Sequence, residues 1–225
     1  MGPAVRLGPT LLARLPGFAL GIALLEGLAV AGEATVLAAA LEAAAERLKG
    51  ATDLEGLARL PEIAAMRAAF RAAGSDPGRY RPSAEALMRR VLQGKGVPRV
   101  SAAVDANTLG SLTFRLPMGA YDADRIEGEV TCRIGEAGEG WVAIGGKVVD
   151  AEEKILLADA AGPFGSPYAD AVRTAVTGMT RRVLLVVFAP PTLAAARLEE
   201  AVAFTAATMV SHCGGAVRAS RVVAG

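Results

Sequence analysis

The chain has 225 residues, enough for one large domain with a substantial buried core. With 52% hydrophobic and 21% charged residues it is too apolar for extensive disorder, and a net charge of +1 supplies no global attraction to nucleic acid. Two cysteines, Cys132 and Cys213, lie far apart without metal-ligand spacing, and are expected to be buried thiols in a reducing, cytoplasmic compartment. The single histidine, His212, leaves no ordinary zinc site and no obvious Ser-His-Asp hydrolase, so neither a metal nor a cofactor is expected.

Arg6 and Arg14 precede an apolar run, Phe18 to Leu25, which small residues follow as far as Ala31. The pattern mimics a secretory signal, but Pro16, Gly17 and Glu26 bound the run and it is too short to span a bilayer. A buried strand over 18–25 is the expectation. Thr35 to Lys49, rich in Ala and Leu with Glu42, Glu46 and Arg47 interspersed, predicts a helix stopped by Gly50. Leu54 to Leu60 is expected to be helical, and Pro61 suits the first position of a helix ending at Gly74. Ser83 is placed as the cap of a helix reaching Gln93, with another over Val104 to Phe114.

After Pro117 the pattern changes to strands. Glu127 to Ile134 and Trp141 to Ile144 are predicted as strands joined by a hairpin loop at 135–140. Lys154 to Ala158 and Val183 to Phe188 follow, the latter an almost continuous apolar run as in a buried strand. Pro190 opens a long helix to His212, and Val217 to Val223 adds a last strand. No repeat or low-complexity linker divides the chain, so residues 1–225 are expected to form a single domain. Strands and helices mix without βαβ alternation, which points to an irregular α/β fold.

Three constellations carry chemical information. Arg79, Arg81, Arg89, Arg90, Lys95 and Arg99 place six cations against one anion, Glu85, within 21 residues. Such a patch suits a phosphate backbone, and equally a solvated helix face paired with carboxylates elsewhere. Leu116 to Asp124 puts Pro117 and Gly119 beside Tyr121 and Asp122, either as a pocket rim or as a tight helix-to-strand turn. Ile144-Gly145-Gly146-Lys147 reads as a hairpin turn.

In joint order, the segments Ser83 to Leu92, Val104-Asp105, Leu116 to Ile126, Arg133, Gly138-Glu139, Gly145-Gly146, and Thr177 and Thr180 before Val183-Leu184-Leu185 resemble one known family. It is the tRNA-editing module formed by the third and fourth domains of the phenylalanyl-tRNA synthetase β-subunit, and more closely its stand-alone bacterial and archaeal relatives. The resemblance is strongest over 74–146. It implies a mixed α/β fold, with a β-sandwich of unusual topology flanked by helices. It also implies a tRNA or aminoacyl-tRNA partner rather than DNA or a membrane, and hydrolysis of a mischarged ester by a positioned water. Nothing in the chain resembles an aminoacylation domain. On this reading Gly119, Tyr121, Asp122, Gly145 and Gly146 line the substrate pocket, while Arg79, Arg81, Arg89 and Arg90 bind RNA. A non-catalytic binder of a small amino acid or metabolite is the alternative.

Several positions depart from the synthetase pattern. Gly119 holds the place of the histidine in Pro-x-His-Ala-Phe-Asp, and Val186 that of the carboxylate in Leu-Leu-Glu. In Val-Asp-x-x-Asn, Thr108 takes the Asn position and Asn107 lies one residue early. The stand-alone relatives' Arg-x-Trp-Asn-Trp-Arg segment is replaced by Pro163 to Tyr168. Tyrosine-specific editing is therefore not expected.

Overall fold

The computed structural model describes residues 2–30 and 35–225; Ala31, at the end of the signal-like run, lies outside them. Strand β1 (Val5–Leu7), helix α1 (Pro9–Arg14) and strand β2 (Ala19–Glu26) lead into helices α2 (Thr35–Ala51), α3 (Pro61–Ala73), α4 (Ser83–Leu92) and α5 (Ala102–Phe114). Strands β3 (Met118–Asp122), β4 (Val130–Ile134), β5 (Gly140–Val142), β6 (Val148–Asp150), β7 (Ile155–Asp159), β8 (Gly162–Gly165) and β9 (Arg182–Ala189) come next. Helix α6 (Ala195–Cys213) and strand β10 (Ala216–Val223) follow.

These elements stack in three layers. The central sheet has the order β10-β2-β9-β3 and is antiparallel throughout. A second sheet, β1-β4-β7-β8, covers one of its faces, and helices cover the other. The apolar run on β9 follows from this position. Val183, Leu185, Val187 and Ala189 enter the helix-side core, while Leu184, Val186 and Phe188 enter the core between the sheets. Because strand side chains alternate between faces, a strand covered on both sides must be apolar at every position. The mixed α/β sandwich flanked by helices expected from the sequence is the observed architecture.

Local differences have identifiable causes. Ser83 is the first helical residue of α4 rather than its cap: Pro82 holds the capping position, and the Ser83 amide donates to Pro167 O at 2.8 Å. Gly50 does not stop α2, which runs on to Ala51, and only Leu57–Arg59 of the 54–60 segment is helical, as a 3-10 turn. Residues 135–140 do not form a hairpin between β4 and β5. Strand β4 pairs with β1 and β7, and β5 pairs instead with β6 across the turn at 143–147. Residues 118–122 are a strand of the central sheet, so the segment read as a turn or pocket rim has a fixed pleat and register.

Helix α6 approaches β2 closely at Gly21, where a Cβ would run into Val202 Cγ2 and lie 2.8 Å from Leu198 Cδ1. Replacing Gly21 with Val is expected to cost about 1–3 kcal/mol, because neither α6 side chain has room to retreat within the packed layer. Urea unfolding of the variant checks this, and an unchanged midpoint would contradict the described contact.

Candidate functional site

The register of β3 against β9 sets Gly119 opposite Val186. The two departures from the synthetase pattern are therefore cross-strand partners, and Val186 is fully buried. Beside them lies the ring of Tyr121, also fully buried, with Phe164 edge-on at a centroid distance of 5.1 Å. A Cβ built on Gly119 would collide with the Tyr121 hydroxyl, and so would one built on Gly165 of β8. The phenol thus occupies a slot between two glycines on facing sheets. The matching pattern pairs histidine with Phe at these positions; here glycine goes with tyrosine, and the hydroxyl ends where a side chain at 119 would begin.

The Tyr121 hydroxyl donates to Asp170 Oδ1 at 2.7 Å. Burial pushes the Asp170 carboxyl up to about 6, although the hydrogen bond from Tyr121 draws it down. Burial, together with the Asp170 charge, raises the Tyr121 hydroxyl well above its ordinary value, so it stays a donor. Asp122, next on β3, accepts from Thr180 Oγ1 at 2.7 Å and from the Asp124 amide at 3.1 Å. Thr180 thus fixes the end of β3. Asn107 rather than Thr108 reaches this strand, donating through Nδ2 to Met118 O at 3.2 Å.

Gly145 and Gly146 sit in the exposed β5–β6 turn with φ of 98° and 85°. Their turn is tied to the same place, since the Ile144 amide donates to Asp170 O at 2.9 Å and Ala143 bridges Ala171. Asp170 therefore joins the hairpin to Tyr121. Asp170, Phe164 and Gly165 were not singled out in the sequence. They lie in and just after the Pro163–Tyr168 segment, where no periodicity or motif marks them.

The cationic segment divides into two groups. Arg67 and Arg81 both meet the buried Glu85, at 2.9 and 3.4 Å, and Arg99 meets Asp105 at 2.6 Å. These arginines have structural partners, as the solvated-face alternative required. By contrast, among the described residues no carboxylate ion-pairs with Arg79, Arg89, Arg90 or Lys95. Arg89 Nε is buried without a hydrogen-bond partner, as is Arg81 Nε in the paired group. Arg79 stacks over Tyr80 at 5.1 Å, and Tyr80 meets Tyr168 edge-on at 5.5 Å. Two residues beyond Tyr168 is Asp170. Segment 166–170 thus connects the cationic face to the Tyr121 slot.

The B3/4 domain family pattern matches residues 65–209, which include β3, β9, the slot and the cationic segment. The chain belongs to the B3/4 domain family. It is 36% identical over 80 residues to the phenylalanine–tRNA ligase β subunit of Chromobacterium violaceum, covering 35% of this chain and 10% of that one. With the β subunit of Bifidobacterium longum it shares 32% identity over 111 residues, 44% of this chain and 12% of that one. These matches span about a tenth of the relatives' length. In fold, this B3/4 chain is similar to an N-terminal fragment of the phenylalanyl-tRNA synthetase β-subunit from Pyrococcus horikoshii, with a TM-score of 0.51 at 14% identity over 96% of this chain and 50% of that fragment. Among the described residues no helix is long and apolar enough to cross a membrane, and Cys132 and Cys213 are free and buried.

The Asp170 carboxyl titrates higher in the folded chain than its ordinary value of 3.8. Its contribution to stability is therefore fully present below 3.8 and is lost as pH rises through about 6. Urea midpoints are expected to show the wild type gaining on Asp170→Asn as pH falls across that window. A difference independent of pH would contradict the described burial. Tyr121→Phe, which leaves the carboxyl without its donor, is expected to cost about 1–3 kcal/mol at neutral pH.

Proposed function

We propose that this chain is an RNA-associated module that binds an aminoacylated or free tRNA end. The observation that carries this reading is the set of cations on and around α4 that lack carboxylate partners. Arg79, Arg89 and Arg90 meet phosphates, with Lys95 extending the face. Arg81, held by Glu85, contributes its outer nitrogens and keeps the segment in place. An arginine without a carboxylate partner gains more from an incoming phosphate than one already paired. Membership of the B3/4 family and likeness to phenylalanine–tRNA ligase β subunits support RNA over other polyanions.

Hydrolysis of a mischarged ester in trans is the finer part of the proposal. It would use a water positioned at the exposed Gly145-Gly146 turn, outside the filled space at Gly119, rather than a side-chain nucleophile. With Tyr121 filling its slot and Val186 opposite Gly119, an aminoacyl group would lie outside the slot, which suits a small or apolar one. A tyrosyl group would find its place taken and no free partner for its hydroxyl. The same filled slot weighs against the alternative, a non-catalytic binder of a small amino acid or metabolite in that slot, and equally against an aminoacyl group entering it.

Replacing Arg89 and Arg90 together by Ala is expected to weaken tRNA binding and flatten its salt dependence by about one unit of slope per lost contact. Filter binding across a salt series measures both. Arg6→Ala, whose guanidinium is paired with Glu129 at 2.9 Å, serves as the control and should leave binding unchanged. Unaltered affinity and slope in the double variant would overturn the RNA reading.

A further inference from the structure

Away from the family site, the sandwich opens at the corner where β10 faces β1. A cavity of about 170 Å3 lies there, lined by Gly2, Pro3, Ile22, Leu24, Leu184 and the β10 residues Ala219, Ser220 and Arg221. Its floor is apolar by construction. Ile22, Leu24 and Leu184 belong to the core between the sheets, which reaches this edge with 6%, 7% and 2% of each residue exposed. Register then determines what stands over the floor. Ala219 pairs with Leu24 and Arg221 with Ile22, so both point to the inter-sheet face. An arginine thus occupies a strand position whose neighbours face an apolar core.

Among the described residues no carboxylate ion-pairs with Arg221, although Arg218, three residues earlier, is held by Glu26 at 3.0 Å. None of the described residues that line the cavity is acidic. Gly2 closes one wall by lying directly on Leu24; a Cβ there would come within 2.6 Å of Leu24 Cδ2. The neighbouring hollow across Gly2-Pro3 is lined by Asp124, Glu129 and Arg182, and Glu26, two residues along β2 from Leu24, is taken up by Arg182 and Arg218. β10 is also the terminal strand of its sheet, and its outer edge presents backbone groups that β2 does not use.

We propose that this cleft binds a small monocarboxylate with a short branched apolar tail. The tail would lie on Ile22, Leu24 and Leu184, and the carboxylate would meet the Arg221 guanidinium at the lip. The chemistry selects against free amino acids, because an ammonium group would lie beside Arg221 with no acidic residue in the lining to receive it. It selects against the corresponding amide, which forgoes the charge-assisted contact.

The test is a titration of the full chain with 3-methylbutanoate, followed through the methyl resonances of Ile22, Leu24 and Leu184. Saturable shifts are expected, with 3-methylbutanamide and leucine binding at least about ten-fold more weakly. Arg221→Leu is expected to reduce carboxylate affinity by a similar factor while leaving the amide unaffected. Ala219→Phe, which fills the cleft from an exposed strand, should abolish both and provides an independent check should Arg221→Leu fold poorly. Absence of saturable shifts, equal binding of leucine, or carboxylate affinity indifferent to both variants would overturn the proposal.

Discussion

The structure depends on the burial of β9 from both sides. Each residue from Val183 to Ala189 belongs to one of two cores, alternately under the helices and under the second sheet. A slip of one residue would exchange the two sets, so the register against β2 and β3 is fixed by packing on both faces at once. That register places Gly119 against Val186 and aims Tyr121 between the sheets. The chemistry available at the family site is therefore decided by a packing constraint before any polar group is considered.

Within that frame the space at Gly119 is filled. A glycine opposite a valine, deep in a double-sided sheet, cannot carry charge. The nearby polar pair, Tyr121 and Asp170, satisfies itself. Because the hydroxyl of one residue occupies the space freed by the other, the glycine at 119 and the tyrosine at 121 form a single spatial unit. The surface around α4 is different in kind, with several cations that have no carboxylate partner among the described residues, and it is joined through Tyr80, Tyr168 and segment 166–170 to the covered slot. The proposed RNA contact rests on that surface, and the proposed selectivity on the slot.

The sequence made the fold class and most long elements legible, since continuous apolar runs such as Val183–Phe188 and periodic ones such as Thr35–Lys49 record burial directly. It misplaced the hairpin partner of β5 because Gly-rich segments on both sides look equally like turns, and only pairing across the sheet decides. Ser83 was assigned as a cap from its identity, whereas its amide is satisfied by Pro167, 84 positions away in numbering. Of the site, Gly119, Tyr121 and Asp122 were visible as a motif. Asp170 and Gly165 were not, because their importance comes from facing β3 across the sandwich, a relation that no local pattern encodes. The arginine cluster was visible as charge, but its division into paired and unpaired members depends on where Glu85 and Asp105 lie.

The central claim is that the slot beside Gly119 is closed to a large hydroxylated side chain. The most direct measurement is deacylation of tRNA carrying the phenylalanine anticodon, charged in turn with tyrosine and with small amino acids, and compared with the buffer rate. The account predicts no acceleration for the tyrosyl ester and confines any saturable hydrolysis to a small or apolar aminoacyl group. Efficient, tyrosine-selective hydrolysis by the wild-type chain would contradict it.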